Sequence, residues 1–249
     1  MKKLLILSIS VSVLLTFSSC ASLFAKKFKD LPQENNCTTN EDFKKSCVKV
    51  TMTTITNSIG ISYIQEQYGS GVIFYEDSNK YYALTNNHVL YKAGLGKSNY
   101  YVTDSMGNQL TASIVKKSSS LDLAVVSFKK EDLSYPLAKI SETNASIGTY
   151  TQAIDENFVF TTGKITGYEP APKLANAFYG ESNVKTTVIT SDTYVHHGSS
   201  GGAFIDENYN VIGIVYASSQ YSNGTFISSY IIPCEEVIKF LKDNKGVTK

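Results

Sequence analysis

The 249-residue sequence contains no arginine and no tryptophan, so lysine supplies all 23 of its basic side chains. Without guanidinium groups, any mechanism that needs a bidentate cationic clamp on a carboxylate or phosphate is excluded. The 22 acidic residues leave a formal net charge of only +1. This balance provides no basic footprint for a nucleic acid, and we predict no nucleic-acid partner.

Cysteine and histidine are also scarce. The three histidines include the adjacent pair His196 and His197, but no cysteine or third histidine stands beside them at ligand spacing. We therefore predict no metal site and no cofactor. None of the cysteines lies in a glycine-framed turn near a histidine, which argues against a catalytic thiol. Cys37 and Cys47 either form a small disulfide loop or remain free thiols, and the sequence leaves both alternatives open.

The N-terminus has the pattern of an export signal. Lys2 and Lys3 precede an apolar run from Leu4 to Phe17 that is short for a membrane span. The run ends in Phe17-Ser18-Ser19-Cys20, which resembles a bacterial lipobox, in which the cysteine is diacylated. We predict a lipoprotein signal peptide over residues 1–20, lipidation at Cys20 and an exported protein anchored to the outer face of the cell membrane. The alternative is an ordinary signal peptide and a soluble secreted protein.

The remainder divides into two parts. Residues 21–46 are polar and charged, and their composition predicts a tether. Residues 47–245 are rich in short apolar segments separated by Gly, Asn and Asp turns, which predicts an all-β domain. Six strands are expected within residues 48–128 and six within 149–232. Apolar residues at helical spacing predict one C-terminal helix over residues 235–244.

A glycine-framed serine is the strongest chemical signal. Ser200 stands in Gly198-Ser199-Ser200-Gly201-Gly202, with apolar segments on both sides. Gly198 permits a turn tight enough for the amides of Gly198 and Ser200 to point at one spot. A flexible linker has the same composition, but it would be longer and polar throughout. The pattern predicts that Ser200 is a nucleophile.

Two upstream residues can complete a charge-relay site with Ser200. His88 lies in a polar turn after a predicted strand, and Asp122 begins an apolar run where an aspartate needs a partner. Serine becomes a good nucleophile when a neutral imidazole takes its proton, and a carboxylate holds that imidazole in the right tautomer. A loop histidine and a turn acid are common separately. The order His, Asp, Ser favours a catalytic triad.

These motifs resemble those of trypsin-like serine proteases, in particular the bacterial HtrA/DegP type without a PDZ domain. The resemblance covers roughly residues 65–242 and includes Thr85-Asn86-Asn87-His88-Val89 and Leu121-Asp122-Leu123-Ala124-Val125. It implies two packed six-stranded antiparallel β-barrels (chymotrypsin-like) with a short C-terminal helix. It also implies that His88 is the general base, Asp122 its orienter and Ser200 the nucleophile, with an oxyanion hole formed by the amides of Gly198 and Ser200. The substrate pocket implied by the resemblance contains Tyr194, His197, Val215 and Tyr216.

The chain departs from the family pattern beside the nucleophile. Ser199 stands where the family usually has asparagine, and His196-His197 replace its usual residues further back. We therefore do not transfer the substrate preference of the family to this chain. In trypsin-like enzymes that mature by clipping, an aspartate before the nucleophile pairs with a freed terminal amine, and Ser199 has no charge for that role. We expect the turn around Gly198 and Ser200, here called the oxyanion turn, to be held by its own hydrogen bonds and by Ser199 or His197.

The sequence thus predicts an extracytoplasmic serine endopeptidase that acts on protein or peptide substrates through an acyl-enzyme intermediate. The alternative is a catalytically silent lipoprotein that uses the protease fold to bind peptides or a protein partner. The intact set His88, Asp122, Ser200 and Gly198 favours the enzyme, because silent relatives commonly lose one of them. The oligomeric state does not follow from the sequence.

The lipobox interpretation predicts that membrane attachment depends on Cys20. A diacylated cysteine supplies two acyl chains, enough for stable anchoring. In cell fractionation, we expect the wild-type protein in the membrane fraction and Cys20→Ala protein, once its signal is cleaved, in the soluble fraction. Cleaved Cys20→Ala protein that stays with the membrane would contradict the interpretation.

Overall fold

The computed structural model describes residues 28, 31, 34, 37–58, 61–91, 96–173 and 184–243. The predicted signal peptide, including Cys20, lies outside the described residues. Two helices are present in the described ranges, α1 (Asn40–Lys45) and α2 (Cys234–Lys242). The strands are β1 (Cys47–Ser58), β2 (Ile61–Glu76), β3 (Lys80–Thr85), β4 (Lys97–Asp104), β5 (Gln109–Ser118), β6 (Leu123–Lys129), β7 (Tyr150–Ile154), β8 (Phe160–Pro170), β9 (Thr187–Ser191), β10 (Ala203–Ile205), β11 (Val211–Gln220) and β12 (Phe226–Pro233).

The strands form two closed barrels of six strands each. The first has the order β1-β2-β3-β6-β5-β4 and the second the order β10-β11-β12-β9-β8-β7. Neighbouring strands are antiparallel throughout both barrels. The all-β, double-barrel architecture expected from the sequence is therefore confirmed, with six strands on each side of residue 140.

Strand β6 shows why the barrels pack against each other. Its residues Leu123 to Phe128 are all buried, so both faces of the strand are covered. Successive side chains of a strand point to opposite faces. Ala124 and Val126 belong to the cluster that fills the first barrel, whereas Leu123 and Val125 belong to a larger cluster that extends into the second barrel. An uninterrupted apolar run is what a strand buried on both faces requires.

Three hydrophobic clusters account for the core. One fills the first barrel and a second fills the other barrel around Phe204 and Ile212. The third contains residues of both barrels, among them Phe74, Leu84 and Ile214. This shared cluster holds the two barrels together and fixes the side chains that approach their junction.

Part of the predicted tether packs into the fold. Phe28 is fully buried against the rings of Phe74, Tyr75 and Tyr82, at centroid distances of 5.1–5.5 Å. Phe43 in α1 is also fully buried in the shared cluster. The described part of residues 21–46 thus differs from an extended polar linker, because Phe28 packs on rings of the first barrel and Phe43 stacks near Tyr209, between β10 and β11.

The largest difference from the predicted boundaries is at the start of strand β2. Strand β2 begins at Ile61, ten residues before the predicted start at Gly71, because its residues 61–72 pair with the whole of β1. Tyr63 and Ile64 are exposed there. This part of the strand is therefore defined by backbone pairing and not by burial, and the sequence shows no alternating apolar pattern that would predict it. The C-terminal helix is confirmed and ends at Lys242, with Val237, Phe240 and Leu241 buried.

The described cysteines, Cys37, Cys47 and Cys234, are buried, and none of them forms a disulfide with another. Burial raises the pKa of the Cys47 thiol and, to about 11, that of Cys234, which makes both thiols unreactive at neutral pH.

Within the described ranges, no helix is both long and apolar enough to cross a membrane.

A buried lysine joins the first barrel to α2. Lys116 on β5 is 1% exposed, and its ammonium group donates hydrogen bonds to the carbonyls of Phe240 and Asp243 at the end of the helix. The C-terminus of a helix carries partial negative charge, which favours a cation there. Burial lowers the pKa of Lys116 to about 8, so the side chain remains mostly charged at pH 7.

This contact predicts that Lys116→Met lowers the free energy of unfolding by about 2 kcal/mol, because two carbonyls lose a charged donor. Lys117→Met is the matched control, since the neighbouring side chain is exposed and should change stability by less than about 0.5 kcal/mol. Urea denaturation at pH 7 measures both. Equal stability of the two variants would contradict a role for Lys116 in holding α2.

Candidate active site

Asp122 holds His88 through both of its carboxylate oxygens. Oδ2 accepts a hydrogen bond from Nδ1 of His88 at 2.5 Å, and Oδ1 accepts the backbone N–H of His88 at 2.8 Å. Asp122 is fully buried and His88 is 7% exposed. Because a carboxylate accepts and does not donate, the contact places the ring proton on Nδ1. Nε2 is then the basic nitrogen of the neutral imidazole.

The backbone on either side of His88 and Asp122 fixes the geometry of their contact. Strand β3 ends at Thr85, and His88 begins a short 3₁₀ turn, His88–Leu90. Asp122 adopts a left-handed conformation with φ of 52°, and its carbonyl accepts hydrogen bonds from Asn86 Nδ2 at 2.8 Å and from the Asn87 amide at 3.1 Å. Asn86 and Asn87, which directly precede His88, therefore tie the histidine turn to the aspartate turn.

Ser200 follows a tight turn in the second barrel. The Ser199 amide donates to the carbonyl of His196 at 3.0 Å, and Ser199 Oγ accepts the amide of His196 at 3.1 Å. Gly198 lies inside this turn with φ of 105°, a conformation that favours glycine. The turn is thus held by its own hydrogen bonds, including one to the Ser199 side chain, as the sequence led us to expect.

Strand β2 of the first barrel holds the same turn from outside. Ser70 donates its backbone N–H to the carbonyl of Ser200 at 2.8 Å and its hydroxyl to the carbonyl of Gly198 at 2.8 Å. Ser70 is only 2% exposed. The serine turn of the second barrel is therefore fixed directly to the barrel that carries His88 and Asp122.

His88 and Ser200 line one open cleft of about 450 Å³. The four predicted pocket residues, Tyr194, His197, Val215 and Tyr216, line the same cleft. Gln67 and Tyr68 on β2 and Phe226 on β12 also line it and were not predicted. They belong to segments without any catalytic motif, so only the closure of the barrels identifies them. The Tyr68 ring lies edge-on to His197, with centroids 5.8 Å apart.

His196 makes the contact that the sequence did not predict. Its Nδ1 is 2.7 Å from the carbonyl of His197 and its Nε2 is 3.0 Å from Oδ2 of Asp155, in the turn after β7. Burial disfavours the charged imidazole, but the bonds to His197 and Asp155 and the charge of Glu156 together raise its pKa. His196 thus joins the oxyanion turn to a second acidic turn.

The fold and this arrangement of His88, Asp122 and Ser200 define a double-barrel hydrolase architecture. A family model described as a trypsin-like peptidase domain matches residues 69–214, and the chain belongs to this family. The HtrA-type resemblance seen in the motifs is confirmed by curated relatives. One is the serine protease Do-like HtrA of Lactobacillus helveticus, 30% identical over 186 residues. Another is a probable periplasmic serine protease do/HhoA-like of Haemophilus influenzae, 30% identical over 168 residues.

The matches cover 70% and 68% of this chain but only 42% and 34% of these two relatives. Solved structures show the same fold. The HtrA-type protease AlgW with a decapeptide has a TM-score of 0.62 at 23% identity, covering 81% of this chain and 65% of its own. The inactive form of the Rv3671c protease has a TM-score of 0.57 at 22% identity, covering 80% and 88%.

The geometry predicts that Asp122→Asn lowers peptide hydrolysis at pH 7.5 by about 10³- to 10⁴-fold while the fold survives. Asparagine tolerates the positive φ of this position. Its amide would donate to Nδ1 and leave the ring proton on Nε2, where it blocks transfer from serine. The measurement is kcat/KM, with exposed Asp132→Asn as the control. Near-normal activity of Asp122→Asn would exclude Asp122 as the orienter of His88.

Proposed function

We propose that this protein is an extracytoplasmic serine endopeptidase that cleaves peptide bonds through His88, Asp122 and Ser200. The observation that carries the proposal is the two-point contact of Asp122 with His88, at 2.5 Å to Nδ1 and 2.8 Å to the backbone amide. That contact leaves Nε2 as the base, in the cleft that Ser200 lines. Membership of the trypsin-like peptidase family supports the same reaction class.

The proposed reaction has two halves. In the first, Ser200 Oγ attacks the substrate carbonyl as its proton passes to His88 Nε2, and the amides of Gly198 and Ser200 stabilise the oxyanion. The imidazolium then gives its proton to the leaving amine, and an acyl-serine ester remains. In the second half, His88 takes a proton from water, the hydroxide attacks the ester, and Ser200 recovers its proton as the acid product leaves. Asp122 stabilises the imidazolium in both halves and stays ionised.

The turn hydrogen bonds support the oxyanion role. The Gly198 carbonyl is held by Ser70 Oγ and the Ser200 carbonyl by the Ser70 amide. Electrostatic stabilisation is effective when the donors are already in position and need no rearrangement during the reaction. A turn anchored at both carbonyls meets this requirement without a newly formed N-terminus.

The proposed setting is the outer face of the cell membrane. Its support is the N-terminal sequence, with the signal pattern of residues 1–20 and Cys20 as the lipidated residue. A relative described as periplasmic is consistent with export. The catalytic domain of residues 47–245 then acts on extracytoplasmic proteins or peptides. Phe28 and Phe43 within the predicted tether, residues 21–46, are buried against this domain.

The direct test is active-site labelling with a fluorophosphonate probe. We expect one label per chain on the Ser200 peptide, no label on Ser200→Ala, and full labelling of Ser119→Ala, whose serine is exposed. Hydrolysis of a protein substrate by Ser200→Ala should fall by several orders of magnitude with an unchanged circular dichroism spectrum. An unlabelled wild-type protein, folded and inactive, would support the silent peptide-binding alternative instead.

A further inference from the structure

The turn after β7 places two carboxylates against the oxyanion turn. Asp155 and Glu156 are 9% and 6% exposed, so both are largely removed from water. Ligand atoms of Asp155, Glu156 and His196 all lie within 4.8 Å of one another. Two acids and one imidazole from turns 41 residues apart thus converge on one point beside Gly198.

The remaining polar atoms of these side chains have partners of their own. Asp155 Oδ1 accepts the amides of Asn157 and Val159, each at 2.9 Å. Glu156 Oε1 accepts Asn157 Nδ2 at 3.0 Å, and His196 Nδ1 donates to the carbonyl of His197 at 2.7 Å. Histidine and carboxylate ligands of metal ions are typically held in this way, with the second polar atom fixed by a neighbour.

One atom of the cluster is left over. Glu156 Oε2 is buried and has no hydrogen-bond partner among the described residues. Nδ1 of His196 is already a donor, so in the neutral imidazole Nε2 presents a lone pair to the carboxylate of Asp155 at 3.0 Å. A proton on Nε2 can bridge His196 and Asp155, but it leaves Glu156 Oε2 without a partner, and a buried carboxylate oxygen in that state is costly unless a cation lies against it.

We infer that Asp155 Oδ2, Glu156 Oε2 and His196 Nε2 form a binding site for a divalent transition-metal ion, with Zn²⁺ as the best match. An imidazole with two carboxylates leaves a fourth position for water, and this donor set suits zinc better than calcium or magnesium, which prefer oxygen ligands alone. The His196 side chain is 35% exposed, which gives an ion access from solvent.

The ion acts on the oxyanion turn, and this part rests on the proposed function. A Cβ on Gly198 would lie 2.2 Å from Glu156 Oε2, so the carboxylate touches the backbone of the residue whose amide binds the oxyanion. An unneutralised negative charge there opposes the negative charge that develops in the transition state. A bound divalent ion cancels it and links Glu156 to His196 across the turn.

The binding test uses the mature chain, stripped with a chelator and titrated with Zn²⁺ by calorimetry. We expect one ion per chain in the wild type and affinity reduced by at least about 100-fold in both Glu156→Gln and His196→Gln. His197→Gln is the matched control, because its side chain lies outside the cluster, and it should bind zinc as the wild type does. Circular dichroism without metal checks that each variant folds.

The site would be overturned by a wild-type chain that takes up no stoichiometric zinc, or by zinc binding that survives both Glu156→Gln and His196→Gln. In the first case a proton on His196 would be what bridges the carboxylates. Binding lost in His197→Gln but retained in Glu156→Gln would show adventitious capture by the surface histidines and would also overturn it.

Kinetic measurements distinguish zinc binding itself from its effect on the oxyanion turn. Zinc should raise kcat of the stripped wild type by about 10-fold at constant KM, and it should leave Glu156→Gln unchanged. Metal-free Glu156→Gln should exceed the metal-free wild type, because its amide carries no charge. Stoichiometric zinc without any change in kcat would contradict the action on the turn. An inactive wild type that still binds zinc would refute the peptidase proposal and leave the metal site standing.

Discussion

The site depends on the hydrogen bonds that Ser70 makes to the oxyanion turn, which contains Gly198 and Ser200. The amide and hydroxyl of Ser70 bind the carbonyls of Ser200 and Gly198, each at 2.8 Å, and its own carbonyl accepts Thr85 Oγ1 at 2.7 Å. His88 and Asp122 belong to one barrel and Ser200 to the other, so their relative position is only as exact as this junction. The shared hydrophobic cluster supplies the packing energy, while the directional hydrogen bonds at Ser70 set the register.

Buried carboxylates lie on both sides of the proposed nucleophile, and their surroundings give them different roles. Both carboxylate oxygens of Asp122 bind His88, so in the proposed reaction its charge holds and stabilises the base. Asp155 and Glu156 lie beneath the oxyanion turn, where negative charge works against the reaction unless something cancels it. In the metal site that we propose, a divalent ion held together with His196 cancels this negative charge.

The sequence predicted those features that local chemistry encodes. Short-range chemistry explains the glycines around Ser200, the asparagines before His88 and the acid at the start of an apolar run. The uninterrupted apolar run of β6 likewise indicated a strand that is buried on both faces. The early start of β2 was missed because its exposed residues carry no burial pattern. The contact of His196 with Asp155 was missed because it joins turns that only barrel closure brings together, and ligand spacing along the chain cannot reveal it.

We propose that the two barrels together assemble one hydrolytic site around Ser200. A crystal structure of the enzyme after reaction with a peptidyl phosphonate tests it most directly. We expect phosphorus bonded to Ser200 Oγ, a phosphonyl oxygen within about 3 Å of the amides of Gly198 and Ser200, and His88 Nε2 beside the adduct with Nδ1 still on Asp122. An adduct on another residue, or a phosphonyl oxygen directed to solvent with the Gly198 amide turned away, would contradict it.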